Sequence, residues 1–288
     1  MKGEALLPLE PSLYRETVRR ALAEDIRSGD VTTVATVPPD LQAVGEVVCG
    51  APCVLAGLEV AVETFSQLDP TIHVSRSRRD GDQCGAGDEV LRVAGLGRAL
   101  LTAERTALNF LQRMSGVATL THRCVAMVKG RTIVLDTRKT IPTLRALDKY
   151  AVRAGGGVNH RVALDDAILI KDNHIALAGS ISEAVSRVKR AGHTGLVTVE
   201  VQNRSDVAQA IESGADVLLA DNMDRVEIKE TIRLTRGVAK VEVSGGLTVD
   251  RLEEIAVVGP EYVSIGAMTH SAPAVDFSFD LNVDTSLK

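Results

Sequence analysis

Hydrophobic positions divide the chain into two patterns that meet between residues 105 and 130. Before that boundary, helical spacing runs from Leu13 to Ala23, followed by the turn-rich SGDVTT. β-like segments follow at Val44–Cys49, Thr71–Ser75 and Glu89–Ala94, punctuated by glycines. Strands joined by short Gly turns predict a mixed α+β domain. Thr102 reads as the N-cap of a long helix, with Ala103, Ala107, Phe110, Leu111 and Met114 on one buried face and Gly116 as a weak point.

From Arg131 the pattern becomes regular. Apolar strands are predicted at Thr132–Leu135, Ala167–Ile170, Leu196–Val201, Val217–Ala220, Ala239–Val243 and Tyr262–Ile265, with helical segments between them. Ser180 followed by Glu183 predicts a capping box, and Pro142 suits the first turn of another helix. This alternation implies right-handed βαβ units and a parallel sheet, as an open doubly wound sheet or an incomplete barrel.

Composition narrows the function classes. The 288 residues are 45% hydrophobic and 25% charged, without Trp, which suits aliphatic buried strands. A net charge of −5 argues against nucleic acid or anionic membrane as a bulk partner. No apolar run approaches a membrane span and the N-terminus has no signal-peptide core, so a cytoplasmic protein is expected. Cys49, Cys53, Cys84 and Cys124 read as unpaired small hydrophobes, because nothing near Cys49 and Cys53 completes a zinc spacing.

Each strand of the second half is followed by polar or Gly-rich residues: Asp136, Arg138 and Lys139; Lys171, Asp172 and His174; Glu200; Asp221 and Asn222; Ser244-Gly245-Gly246; and Gly266-Ala267. One polar residue after a strand is ordinarily a helix cap. Six in succession converge on the mouth at the C-terminal strand ends, where α/β proteins place their active sites. Between Arg131 and Lys171, eight Arg and Lys face four Asp, a local cationic excess in an acidic chain. Arg145, Lys149 and Arg153, at helical spacing, read as a solvated face. Arg138, Lys139, Arg161 and Lys171 lie near strand ends and suit a substrate with several negative groups. The SGG and SIGA turns suit a phosphate, whereas Glu200 and Asp221 read either as partners of those cations or as ligands of Mg²⁺ or sugar hydroxyls. A Schiff-base aldolase using Lys171, or a non-catalytic binder of anionic metabolites, is compatible with the same residues.

The ordered motifs AEDIRSGDVTT (23–33), AERTALNFLQRMSGVAT (103–119), DTRKTIPTLR (136–145), KYAVRAGGGVNHR (149–161), LIKDNH (169–174), DNM (221–223), SGG (244–246) and SIGAMTHS (264–271) closely resemble the quinolinate phosphoribosyltransferase family. The resemblance implies an open-faced α/β sandwich domain over 1–115, with 273–288 returning to it. It also implies an incomplete, about seven-stranded α/β barrel over 116–272, its extra strand near Val158–Ala163. It implies pentosyl transfer from 5-phosphoribosyl 1-pyrophosphate to quinolinate with decarboxylation, in NAD biosynthesis. By resemblance, Arg105, Arg138, His160, Arg161 and Lys171 line the dicarboxylate site, Thr137 is a further substrate-binding residue, and Lys139 lies between the dicarboxylate and the phosphates. Lys139, Lys171, Glu200 and Asp221 are the implied catalytic residues, the two acids facing ribose and Mg²⁺–pyrophosphate. The backbone of Ser244, Gly245, Gly246, Ile265, Gly266 and Ala267 is implied to hold the 5-phosphate. A homodimer or larger assembly is implied too, with Arg105 reaching a neighbour's site. Thr198 replaces an acid frequent in the family, and Ala220 a leucine.

Overall fold

The computed structural model describes residues 6–284. The first unit comprises the chain up to His122, Thr140–Gly156 and the segment from Thr269 onward; the second comprises Arg123–Lys139 and Gly157–Met268. These compact units part at 122/123, within one continuous helix, and residues 140–156 join the first unit. The expected domain ends at 1–5 and 285–288 lie outside the described residues.

In chain order the first unit begins with α1 (Arg15–Ile26) and α2 (Val31–Thr36), then β1 (Gln42–Cys49), β2 (Cys53–Val54) and α3 (Leu58–Ser66). β3 (His73–Arg76), β4 (Gln83–Cys84) and β5 (Glu89–Leu96) lead into the long α4 (Gly97–Val128). β6 (Ile133–Leu135), α5 (Arg145–Ala154), β7 (Ile168–Ile170), α6 (Asp172–Ala178) and α7 (Ile181–Arg190) follow. The chain continues through β8 (Val197–Val201), α8 (Arg204–Glu212), β9 (Val217–Asp221), α9 (Arg225–Thr235) and β10 (Lys240–Ser244). It ends with α10 (Leu252–Val258), β11 (Tyr262–Ser264), α11 (Ala267–His270) and β12 (Phe277–Val283).

Strict alternation along β1 buries Ala43, Val47 and Cys49 on one face of an antiparallel sheet ordered β12-β1-β5-β3. That face joins Leu58 and Phe65 of α3 and Leu100, Ala103, Ala107 and Leu111 of α4 in one apolar core. Phe279 of β12 stacks on Phe65 with ring centroids 5.5 Å apart. α4 begins at Gly97 rather than after Thr102, because Leu100 already belongs to the core; Thr102 instead donates to Asp30. Gly116 does not break α4. A Cβ there would collide with the Pro273 carbonyl, so glycine admits a close backbone approach. Part of the expected SGDVTT turn is α2, capped by Asp30 accepting from the Thr33 N–H.

The second unit is an all-parallel sheet ordered β6-β11-β10-β9-β8-β7. Every residue of β8 is buried, as expected where helices cover both faces. The expected seventh strand is reduced to one parallel bridge between Val158 and Leu135. Residues 159–167 form no strand, and the carboxylates of Asp136 and Asp166 accept from the backbone N–H groups of His160 and Val162. Ser180 caps α7, but the Glu183 carboxylate bonds Arg187 and Arg190, so only half of the expected box forms. Pro142 stands in the turn before α5, not within it.

All four cysteines are buried and free, with Cys49 and Cys53 sulfurs 3.9 Å apart. No group of three or more His, Cys, Asp or Glu side chains that could by themselves hold a metal ion occurs among the described residues, and no described helix is long and apolar enough to cross a membrane.

Candidate active site

Parallel pairing puts the C-terminal ends of the second unit's strands on one side. There they enclose a cavity of about 440 Å³. Thr137, Arg138 and Lys139 enter from the end of β6, His160 and Arg161 from the irregular segment, and Lys171 from the end of β7. Glu200, Asp221, Ser244, Gly245 and Gly246 complete the expected set within it. Four expected residues do not line it. Arg105 is exposed on α4 of the first unit, and Ile265, Gly266 and Ala267 follow β11 beyond Ser264, which does line the cavity.

Charge is arranged unevenly. Lys171 is half exposed and donates from Nζ to Glu200 Oε2 at 3.1 Å, while Glu200 is almost fully buried. Arg161 donates to the Ala167 carbonyl at 3.1 Å. Burial and then the like charge of Arg138 push its guanidinium pKa down, with Asp166 opposing. The Arg138 Nε is buried without a hydrogen-bond partner. Two arginines that repel each other, one with an unsatisfied donor, make a site whose electrostatics improve when an anion enters.

The loops after β9 and β10 are shaped for close backbone approach. Asn222 has a left-handed backbone (φ 55°), gives its N–H to the Ser244 carbonyl at 3.1 Å and its Nδ2 to Asp221 at 2.9 Å. Gly245 has φ 90°, and a Cβ there would stand 2.7 Å from the Asn222 backbone nitrogen. Only glycine meets both conditions. Among hard-ligand donors, Glu200 and Asp221 both line the cavity, and each already has one protein partner. Such a pair fits Mg²⁺ in the mode that uses one or two carboxylates together with substrate phosphates, not an all-protein cage.

Residues 30–115 match the family described as quinolinate phosphoribosyl transferase, N-terminal domain, and residues 117–280 match the C-terminal domain of the same family. The chain belongs to the quinolinate phosphoribosyl transferase family. It is 40% identical over 262 residues to the probable nicotinate-nucleotide pyrophosphorylase (carboxylating) of Bacillus subtilis, covering 90% of each. It is 40% identical over 277 residues to the nicotinate-nucleotide pyrophosphorylase (carboxylating) of Mycobacterium leprae, covering 93% of this chain and 96% of the relative. The crystal structure of NadC from Streptococcus pyogenes superposes with a TM-score of 0.93 at 39% identity, over 96% of this chain and 99% of that one.

This quinolinate phosphoribosyl transferase family member also lines its cavity with an acid that sequence reasoning passed over, Glu242. The signal was present: Glu242 stands in KVEVS on β10 as Glu200 stands in VTVEV on β8, an acid flanked by valines in a buried strand. Asp136, fully buried, reads in the sequence only as a strand end; its carboxylate accepts from the His160 N–H at 2.7 Å and Asn159 Nδ2 at 2.8 Å.

Proposed function

We infer that this chain is a pentosyltransferase that joins quinolinate to 5-phosphoribosyl 1-pyrophosphate, releasing pyrophosphate and CO₂ and leaving nicotinate mononucleotide, a precursor of NAD. The observation that carries this reading is one cavity holding Arg138, Lys139, Arg161 and Lys171 opposite Glu200 and Asp221, beside the Ser244–Gly246 turn. Arg138 and Arg161 hold the two carboxylates of quinolinate, leaving its ring nitrogen directed at C1 of the ribose. The C1–O bond breaks with its electron pair going to pyrophosphate, and the pyridine lone pair forms the C1–N bond. Glu200 and Asp221 stabilise the cationic ribose between these events, and Lys139 and Lys171 take up charge on the departing pyrophosphate. The 5-phosphate lies against the backbone of Ser244–Gly246, where Gly245 and Gly246 leave room. Mg²⁺, held with the pyrophosphate by Glu200 and Asp221, would neutralise leaving-group charge when bound. The pyridinium then accepts the electron pair of the breaking C2–CO₂ bond, and C2 takes a proton. Nothing favours the Schiff-base reading, since Lys171 Nζ is committed to Glu200. Arg105 acts in a neighbouring copy's cavity within a homodimer or larger assembly, and the compartment is the cytoplasm.

The deciding assay follows nucleotide formation and pyrophosphate release with quinolinate and with nicotinate, each with 5-phosphoribosyl 1-pyrophosphate and Mg²⁺. Turnover with quinolinate and little with nicotinate is the expected result. Preference for nicotinate would leave the fold standing and the substrate wrong.

A further inference from the structure

Glu242 is 2% exposed on β10, paired in register with Leu219 of β9, which is itself in register with Glu200 of β8. The two acids therefore occupy one level of the cavity wall. Glu242 Oε2 lies 3.3 Å from His160 Nε2, and its Oε1 is buried without a hydrogen-bond partner. The other ring nitrogen, His160 Nδ1, accepts the Arg161 backbone N–H at 2.8 Å. A nitrogen that accepts from an amide carries no proton, so the ring is neutral and its proton sits on Nε2, aimed at Glu242. Asp136 meanwhile takes the His160 N–H at 2.7 Å and Asn159 Nδ2 at 2.8 Å. Two buried acids, from the end of β6 and from β10, thus hold residues 159–161. Beyond the bridge at Val158, no strand ladder steadies this segment.

We propose that Glu242 is a positioning residue: it holds His160 in the Nε2–H tautomer, and His160 fixes through Nδ1 the backbone from which Arg161 reaches the cavity. The proposal rests on the reading of the cavity as a dicarboxylate site only for its kinetic consequence. A buried carboxylate with a single neutral donor is retained against its desolvation penalty, which a purely structural site would avoid with an apolar residue.

The test uses the full chain with ¹⁵N-labelled histidine, and His160→Gln to assign the signal. Wild type should show the Nε2–H tautomer; an Nδ1–H tautomer or a doubly protonated ring would overturn the proposal. In Glu242→Ala, amide exchange within 158–163 should quicken by about tenfold, while Glu242→Gln, whose amide oxygen still accepts from Nε2–H, should match wild type. KM for quinolinate should rise by about tenfold in Glu242→Ala, with KM for 5-phosphoribosyl 1-pyrophosphate unchanged. Unaltered exchange and unaltered KM in that variant would also overturn it. Should Glu242→Ala not fold, Glu242→Gln decides alone: a retained tautomer with protected 158–163 supports the proposal, and loss of either defeats it. A chain inactive with quinolinate would remove the functional reading, and the tautomer and exchange measurements would then decide the positioning role by themselves.

Discussion

Arg161 and Lys171 are both cations, but the structure sets them different tasks. Lys171 is neutralised by Glu200 at 3.1 Å, whereas Arg161 is pressed by burial and by Arg138 without a carboxylate of comparable closeness. An entering dianion thus relieves Arg161 more than it relieves Lys171. Arg161→Ala should therefore lower kcat/KM for quinolinate by about a hundredfold, a loss typical of one charge-stabilising contact at a transition state. A value near wild type in steady-state kinetics would show that the dicarboxylate sits elsewhere. At this scale the sequence reveals residues that end strands, because a charge after an aliphatic run has one place to go. Arg138, Lys139, Lys171 and Asp221 were legible for that reason. Glu242 was not, since an acid inside a strand reads equally well as a core ion pair, and its partner His160 is 82 positions away along the chain.

α4 and α5 show how elements hide their partners. Asp148, Lys149 and Tyr150 of α5 are all buried, although Arg145, Lys149 and Arg153 have the spacing of a solvated face. Asp148 accepts from Arg113 of α4 at 3.0 Å, and Tyr150 donates to Asp80 at 2.8 Å, partners 35 and 70 residues distant. Local periodicity has no access to such contacts, so a polar helix enclosed by distant partners looks like a surface helix. Gly116 gives a case where two effects compete and magnitude decides. Helix propensity favours Ala over Gly by about 1 kcal/mol. Against that, a Cβ would strike the Pro273 carbonyl oxygen and stand 3.1 Å from its carbon, and neither backbone atom can rotate away. Overpacking of this kind costs about 1–3 kcal/mol. The net cost is about 0–2 kcal/mol, so Gly116→Ala should lower the melting temperature by up to about 8 °C. A rise in calorimetric Tm would mean the segment at Pro273 yields readily and propensity governs.

For the whole molecule, the alternation of aliphatic strands with amphipathic helices made the α/β class and the six parallel strands readable, because period and burial agree in a sheet covered on both faces. The order β6-β11-β10-β9-β8-β7 and the collapse of the expected seventh strand were not readable, since both depend on pairing between distant segments. Stability across the chain carries its own pH signature, with one probe in each unit. In the second unit, burial raises the Cys124 thiol from an ordinary 9.0 to about 11, with Arg123 slightly opposing. In the first, burial and then the Asp80 carboxylate raise the Tyr150 phenol well above its ordinary 10.0. Both groups hold their protons longer folded than unfolded. Their stabilisation is complete below the unfolded value and is lost as pH climbs towards the folded one. Cys124 therefore sets a window from about pH 9 to 11, and two pKa units correspond to about 2–3 kcal/mol. Urea unfolding should show stability falling across that window. Cys124→Ala should remove about 2–3 kcal/mol of the fall. Tyr150→Phe should instead flatten the loss that begins above pH 10, at the expense of the Asp80 hydrogen bond at neutral pH. If Cys124→Ala left the slope between pH 9 and 11 as steep as in wild type, the thiol would not be the buried proton store its surroundings make it.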